Sequence, residues 1–175
     1  MITTVRLRLS PFTLYDDAFI LRLLNEPSFI DNIADRGVRT LEDARAYLSN
    51  GPLASYAANG FGLWRVSLCE RGQPIGMCGL IRRKGLADVD LGYALLPEYT
   101  GMGYAVEAAR AALEYGHATL GLARIIAIVS PGNEPSVRVL EKLGFAREGT
   151  TRLPNDTLDL LLFASTPPVA DNGAL

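Results

Sequence analysis

Two glycines, Gly101 and Gly103, stand between a predicted strand and a predicted helix in residues 91–108. Glycine has no Cβ, so the backbone N–H groups of such a turn can approach a ligand closely. The helix that begins near Gly103 adds unpaired N–H groups and a partial positive charge at its N-terminus. Together these features predict a site for a pyrophosphate group.

Two common pyrophosphate motifs do not fit this turn. The dinucleotide motif G-x-G-x-x-G/A fails because Val106 occupies its sixth place. The mononucleotide P-loop ends in Gly-Lys-Ser/Thr, a tripeptide that the chain lacks. The remaining pattern, with Gly103 and Ala105, resembles the R/Q-x-x-G-x-G/A acyl-CoA loop of the GNAT N-acetyltransferase superfamily. Thr100 stands where that family usually has Arg or Gln, so only the backbone half of the motif is present.

A second segment, residues 133–145, strengthens the resemblance. It runs from Asn133 through Ser136 to Gly144-Phe145 and is similar to the N-x-x-S-x-x-x-L-E-K-L-G-F segment of the RimJ/RimL-like branch of GNAT enzymes. The resemblance is specific over roughly residues 90–145. It implies a transferase that binds acetyl-CoA (coenzyme A) where the fourth and fifth strands of its sheet splay apart.

The resemblance also implies which residues hold the cofactor. A splayed fourth strand would leave backbone N–H groups near residues 94–96 free to bind the pantetheine amides and the acetyl carbonyl. Asn133 is expected both to cap a helix and to contact the pantetheine arm. The residues expected to bind acetyl-CoA are Ala94, Leu95, Leu96, Gly101, Met102, Gly103, Tyr104, Ala105, Asn133 and Ser136.

Acetyl transfer to an amine needs a proton acceptor for the amine and help for the leaving thiolate. Asp90 is the predicted base, because strand alternation places it on one face with Gly92 and Ala94. Leu140 occupies the place where many GNAT enzymes have a tyrosine acid, so Ser136 is the predicted acid. Two alternatives remain open. Asp90 would then be a solvated surface charge, and Ser136 would be an ordinary residue in the first turn of a helix.

The acceptor is a primary amine by resemblance, selected by loops at residues 27–40 and 149–157. Asp31, Asp35, Glu42 and Asp43 give the first region a negative balance, which would favour a cationic amine such as a protein N-terminus, a polyamine or an aminoglycoside. Random surface charge explains these residues equally well. The predicted mechanism is direct attack of the amine on acetyl-CoA within a ternary complex, and the protein is expected to be a monomer or homodimer. The alternative function is a non-catalytic acyl-CoA-binding module.

Composition excludes several other classes of protein. The 17 basic and 19 acidic residues give a net charge of −2 without a clustered basic face, which argues against nucleic acid as a partner. No apolar run is long enough to cross a membrane and no signal-peptide core is present, so we expect a cytoplasmic protein. Cys69, Cys78 and His117 are too few for a zinc site, and no metal is predicted.

The length of 175 residues and the lack of a dividing linker predict one domain over residues 1–164, and the Pro-Pro and Asp-Asn-Gly segments predict a disordered tail over 165–175. The predicted fold is α/β (α+β layered) and GNAT-like, with a central, mostly antiparallel, seven-stranded sheet and helices on both faces. Strands are expected at residues 5–9, 61–69, 75–83, 89–96, 124–129, 145–150 and 157–163. Helices are expected at residues 14–25, 40–49, 103–120 and 133–144, and residues 28–38 are expected to form a loop.

Overall fold

The computed structural model describes residues 1–154 and 156–165, in which eight strands form one sheet in the order β1-β2-β3-β4-β5-β6-β8-β7. Every neighbouring pair is antiparallel except β5 and β6, which are parallel. The strands are β1 (Ile2–Thr3), β2 (Leu7–Pro11), β3 (Leu63–Leu68), β4 (Pro74–Ile81), β5 (Val89–Leu95), β6 (Ile125–Val129), β7 (Ala146–Thr151) and β8 (Leu160–Ser165).

Six α-helices cover the two faces of the sheet in the described ranges: α1 (Asp17–Leu24), α2 (Pro27–Asn32), α3 (Leu41–Leu48), α4 (Ala54–Asn59), α5 (Tyr104–Glu114) and α6 (Glu134–Lys142). Neither α2 nor α4 was predicted from the sequence. Residues 28–38 were expected to form a loop, but α2 begins at Pro27, which occupies the first turn, where its missing N–H costs nothing.

The sheet separates two hydrophobic cores. On one side, the alanines of α5 (Ala108, Ala109 and Ala112) are fully buried against β3–β6, because their small side chains let the helix approach the sheet closely. On the other side, α1 and α3 pack with Met77 and Leu96. The mostly antiparallel sheet with helices on both faces confirms the predicted architecture.

The gap in the sheet lies between β5 and β6. These two strands pair only at Val89 with Ile125 and at Asp90 with Ile126. By contrast, β5 pairs with β4 over six consecutive positions. The predicted splay between the fourth and fifth strands is therefore confirmed, although the extra strand β1 at the sheet edge shifts their labels to β5 and β6 and raises the strand number from seven to eight.

The end of the sheet differs slightly from the prediction. Ser165, assigned to the disordered tail, is the last residue of β8 and is buried. The rest of that predicted tail, residues 166–175, lies outside the described residues. Among the residues that the structure describes, no helix is long and apolar enough to cross a membrane.

Candidate functional site

A cavity of about 950 Å³ opens at the gap between β5 and β6 and extends across the sheet. We call the part next to the glycine turn and α6 the cofactor side, and the part next to α2, α3 and α4 the acceptor side. Seven of the ten predicted cofactor residues line the cavity: Ala94, Leu95, Gly101, Gly103, Ala105, Asn133 and Ser136. Leu96, Met102 and Tyr104 are not among the lining residues.

The glycine turn has the backbone geometry that its sequence predicts. Gly101 and Gly103 have φ values of 76° and 81°, in the left-handed region that favours glycine. A Cβ at Gly101 would meet no atom within 4 Å, so the surface of the turn is open there. Helix α5 starts at the next residue after Gly103, with the exposed N–H groups of its first turn beside the cavity.

Arg6 holds this turn in place. Its Nη1 donates to the carbonyl oxygen of Met102 at 3.0 Å, and its Nε lies 2.6 Å from Oε2 of Glu107 in the first turn of α5. Its Cζ is 4.4 Å from the ring centre of Tyr104. Because the C=O and N–H of a trans peptide point in opposite directions, the N–H of Gly103 points away from Arg6. Sequence reasoning missed Arg6, since nothing local links it to a turn almost a hundred residues later.

The register of β5 decides which N–H groups face the gap. The N–H of Leu96 donates to the carbonyl of Ile75 at 2.8 Å. Hydrogen-bonding positions alternate along an antiparallel strand, so the N–H groups of Ala94 and Leu96 both point towards β4. Those of Tyr93 and Leu95 point into the gap. The prediction of free N–H groups is therefore wrong at Ala94 and at Leu96, and the Leu96 side chain is 1% exposed in the core.

Asn133 and Ser136 lie at the start of α6, across the gap from β5. Asn133 Oδ1 accepts a hydrogen bond from the N–H of Ser136 at 3.3 Å, which confirms Asn133 as the helix cap. The Tyr93 hydroxyl donates to the carbonyl of Ser136 at 3.2 Å and so ties the two walls of the gap together. Burial raises the pKa of Tyr93 to about 12. Tyr93 belongs to the sequence motif but was not assigned a role.

Asp90 lies at the point where β5 and β6 separate, and it lines the cavity. It is 1% exposed, so it is not a solvated surface charge. Its Oδ2 lies 2.5 Å from Nε of Arg83, and its Oδ1 is buried and makes no hydrogen bond of normal geometry to the described residues, although the backbone N–H of Ile128 lies near the carboxylate. Burial raises its pKa from 3.8 to about 6, against the opposing effects of the Arg83 charge and the backbone N–H of Ile128.

The acceptor side is formed partly by the predicted loops. Residues 27–40 contribute α2 and Arg36, and residues 149–157 contribute Leu153 and Asp156. None of the four acidic residues that suggested a cationic acceptor lines the cavity: Asp31, Asp35, Glu42 and Asp43. Asp35 lies 2.6 Å from Arg39 in an ion pair, and Asp43 accepts from the N–H of Thr40 in the cap of α3.

Comparison with known proteins places this geometry in a family. The model of the acetyltransferase (GNAT) domain matches residues 6–146. The uncharacterized N-acetyltransferase YnaD of Bacillus subtilis is 34% identical over 148 residues, which are 85% of this chain and 84% of YnaD. A GNAT-family acetyltransferase from Bacillus anthracis superposes with a TM-score of 0.78 at 30% identity, covering 94% of this chain and 97% of that one.

The RimJ/RimL-like branch predicted from the sequence is represented among the solved structures. RimL, a ribosomal L7/L12 α-N-protein acetyltransferase in complex with coenzyme A, has a TM-score of 0.79 at 16% identity, over 93% of this chain and 95% of RimL. At that identity the likeness concerns the fold. Acetyltransferases of this fold use acetyl-CoA, and the open glycine turn beside the strand gap is a suitable site for it. The chain therefore belongs to the GNAT superfamily and is an acetyltransferase of that fold.

Proposed function

We propose that this enzyme transfers the acetyl group of acetyl-CoA to a primary amine, on a protein N-terminus or a small molecule, by direct attack within a ternary complex. The observation that carries the proposal is Asp90: a buried carboxylate with one unpaired oxygen lines the same cavity as the glycine turn. We expect the reaction to take place in the cytoplasm.

Asp90 is proposed as the general base. An amine that enters from the acceptor side is protonated at neutral pH and must lose a proton before it attacks. The unpaired Oδ1 of Asp90 is free to accept that proton, directly or through a water molecule. A pKa of about 6 leaves the carboxylate mostly ionised at neutral pH and makes it more basic than an exposed aspartate. Arg83 holds the other oxygen and so fixes the orientation of the carboxylate.

The cofactor side supplies binding and orientation. Acetyl-CoA brings the reactive thioester, and the residues of the chain hold it. The turn at Gly101 and Gly103 would receive the pyrophosphate through backbone N–H groups. The N–H groups of Tyr93 and Leu95 would bind the pantetheine amides and the acetyl oxygen, because neither is used by β4.

Ser136 is proposed to donate a proton to the leaving thiolate. It lines the cavity at the first turn of α6, and its hydroxyl makes no hydrogen bond to the described residues that would compete. The described cysteines do not offer a covalent route, because Cys78 is buried with a raised thiol pKa and neither Cys69 nor Cys78 lines the cavity. Direct attack needs no such nucleophile.

An acceptor panel tests the proposal. Purified protein would be incubated with acetyl-CoA and peptides with free N-termini, amino acids, polyamines and aminoglycosides, and released thiol would be measured. We expect amine-dependent thiol release and a product heavier by one acetyl group. Tight binding of acetyl-CoA without acetylation of any amine would instead favour the non-catalytic acyl-CoA-binding module, for which Thr100 and Leu140 are the sequence arguments.

A further inference from the structure

Away from α6, the cavity has an excess of positive charge. Three arginines line this part, Arg36, Arg82 and Arg83, against two carboxylates, Asp90 and Asp156. Arg83 is already paired with Asp90. Within the described ranges, neither Arg36 nor Arg82 has a carboxylate within 4.0 Å. Two guanidinium groups are therefore available to a ligand.

Asp156 supplies one opposing charge, and it is exposed, as Arg36 and Arg82 are. Its Oδ1 accepts a hydrogen bond from the N–H of Leu158 at 3.1 Å, and the side chain is exposed to water at the edge of the cavity. Arg138 and Lys142 also line the cavity, but they belong to α6 on the cofactor side. Binding of the coenzyme A phosphates is a sufficient reason for the positive charges of those two residues. It gives no reason for the charges of Arg36 and Arg82.

Tyr47 places a neutral donor among the arginines. It lines the acceptor side from α3, and its hydroxyl makes no hydrogen bond within the part of the chain that the structure describes. Burial raises its pKa, while the charges of Arg36 and Arg83 partly oppose the rise. The guanidinium group of Arg36 is thus close enough to influence this hydroxyl, as is that of Arg83, which is already paired with Asp90. An O–H donor near the unpaired guanidinium group of Arg36 matches a carboxylate or a phosphonate.

We propose that the acceptor is a small amine that carries an acidic group, such as a carboxylate or phosphonate, bound by Arg36 and Tyr47 while its amine reaches Asp90, with Arg82 as a second unpaired cation in the cavity lining. The inference rests on the proposed function, because it identifies the substrate class of the same site. It also predicts discrimination: a polyamine with only positive charges would face two unpaired arginines, and their repulsion would disfavour it.

Matched acceptors test the acidic group directly. We would compare methionine with methioninamide and 3-(methylthio)propylamine, and 2-aminoethylphosphonate with ethanolamine, with spermidine as the cationic reference. Thiol release would be measured at pH values that give each amine the same unprotonated fraction. We expect at least one acid-bearing amine to exceed its uncharged counterpart in kcat/KM by roughly 10–100-fold, as for a hydrogen bond between charged groups.

Variants of the arginines test which residues cause the preference for an acceptor with an acidic group. Arg36→Gln should reduce the preference for the acid by roughly tenfold or more, and Arg82→Gln should reduce it less, with coenzyme A affinity retained in both. The matched control is Arg71→Gln, an exposed arginine at the β3–β4 turn that does not line the cavity, and it should leave the preference unchanged. Equal use of the acids, their uncharged counterparts and spermidine, or variants that behave like the parent, would overturn the inference.

A binding measurement separates this inference from the proposed function. Methionine and 2-aminoethylphosphonate would each be titrated into the parent protein saturated with coenzyme A, and binding would be measured by calorimetry. No transfer is possible in this complex, because coenzyme A carries no acetyl group. Binding that Arg36→Gln abolishes, without acetylation of any amine, would support the acid site and refute the proposed transfer. Acetylation of spermidine without binding of either acid would refute the acid site and leave the transfer function standing.

Discussion

The Asp90→Asn variant gives the sharpest test of the mechanism, because it should lower activity and raise stability together. Asparagine keeps the shape of the side chain and removes its basicity. If Asp90 accepts the proton of the amine, turnover should fall by about 10²–10⁴-fold. Raising the pH should partly restore turnover, because more of the acceptor amine is then already deprotonated.

The stability change follows from the burial of Asp90. The carboxyl titrates near its ordinary pKa of 3.8 in the unfolded chain and near 6 in the fold. At about 1.4 kcal/mol for each pH unit, the ionised form costs the folded protein about 3 kcal/mol at neutral pH. Between pH 4 and pH 6 the folded state binds more protons than the unfolded chain. The contribution of Asp90 to stability is therefore complete below about pH 4 and is lost as the pH rises through about 6.

The attraction between Arg83 and the ionised Asp90 is already contained in the pKa of about 6, because it opposes the rise that burial causes. Removing one partner of a buried pair can cost about 3–5 kcal/mol when the remaining charge stays buried. The Arg83 side chain is 24% exposed, whereas Asp90 is 1% exposed, so the arginine keeps access to water after the substitution. Asp90→Asn removes the cost of burying a charged carboxylate, and we expect this gain to exceed the cost of leaving Arg83 unpaired. The variant should therefore be more stable than the parent at pH 7 by up to about 3 kcal/mol.

Two measurements check this reasoning. Urea unfolding at pH 4, 6 and 8 should show a stability in the parent that falls across this range, with a smaller fall in Asp90→Asn. In the parent, kcat/KM should decrease as the pH drops below an apparent pKa of about 6. In the variant, this decrease should be absent from the pH profile. A less stable variant with unchanged kcat/KM would show that Asp90 is a structural partner of Arg83 and that the base is elsewhere.

Three further variants test other parts of the site. Gly103→Val should weaken acetyl-CoA binding at least tenfold by calorimetry, because a Cβ at this positive φ strains the turn and would meet Nη2 of Arg6, the side chain that holds the turn, at 3.4 Å; Gly121→Val, with a similar φ of 67° away from the cavity, controls for strain. Ser136→Ala should lower turnover while leaving acetyl-CoA affinity nearly intact, and equal turnover would return Ser136 to a structural role. Arg6→Gln should weaken acetyl-CoA binding several-fold without changing the acceptor preference, because the turn loses its bond at the Met102 carbonyl; unchanged affinity would refute that role.

The sequence alone determined those parts of the fold that depend on residues close together in the chain. Gly101 and Gly103 indicate a turn with positive φ before a helix, and α5 begins directly after them. Asn133 indicates a cap, and its side chain accepts the predicted hydrogen bond. Alternating apolar residues predict most of the sheet. Helices α2 and α4 were missed because each is a six-residue segment stabilised by packing rather than by a long periodic pattern.

Tertiary structure decided the chemical state of the site. The sequence placed Asp90 on a strand, but only the fold shows that the strand is buried there, that Arg83 holds one oxygen, and that the pKa rises to about 6. The pairing of Leu96 with Ile75 decides which N–H groups face the gap, and a strand's own sequence does not contain its register. Likewise, the acidic residues of the 27–40 region, Asp31 and Asp35, do not line the cavity, whereas Arg36 does. The reason is physical: burial, pairing and electric field depend on what lies close in space, and here those neighbours come from distant parts of the chain.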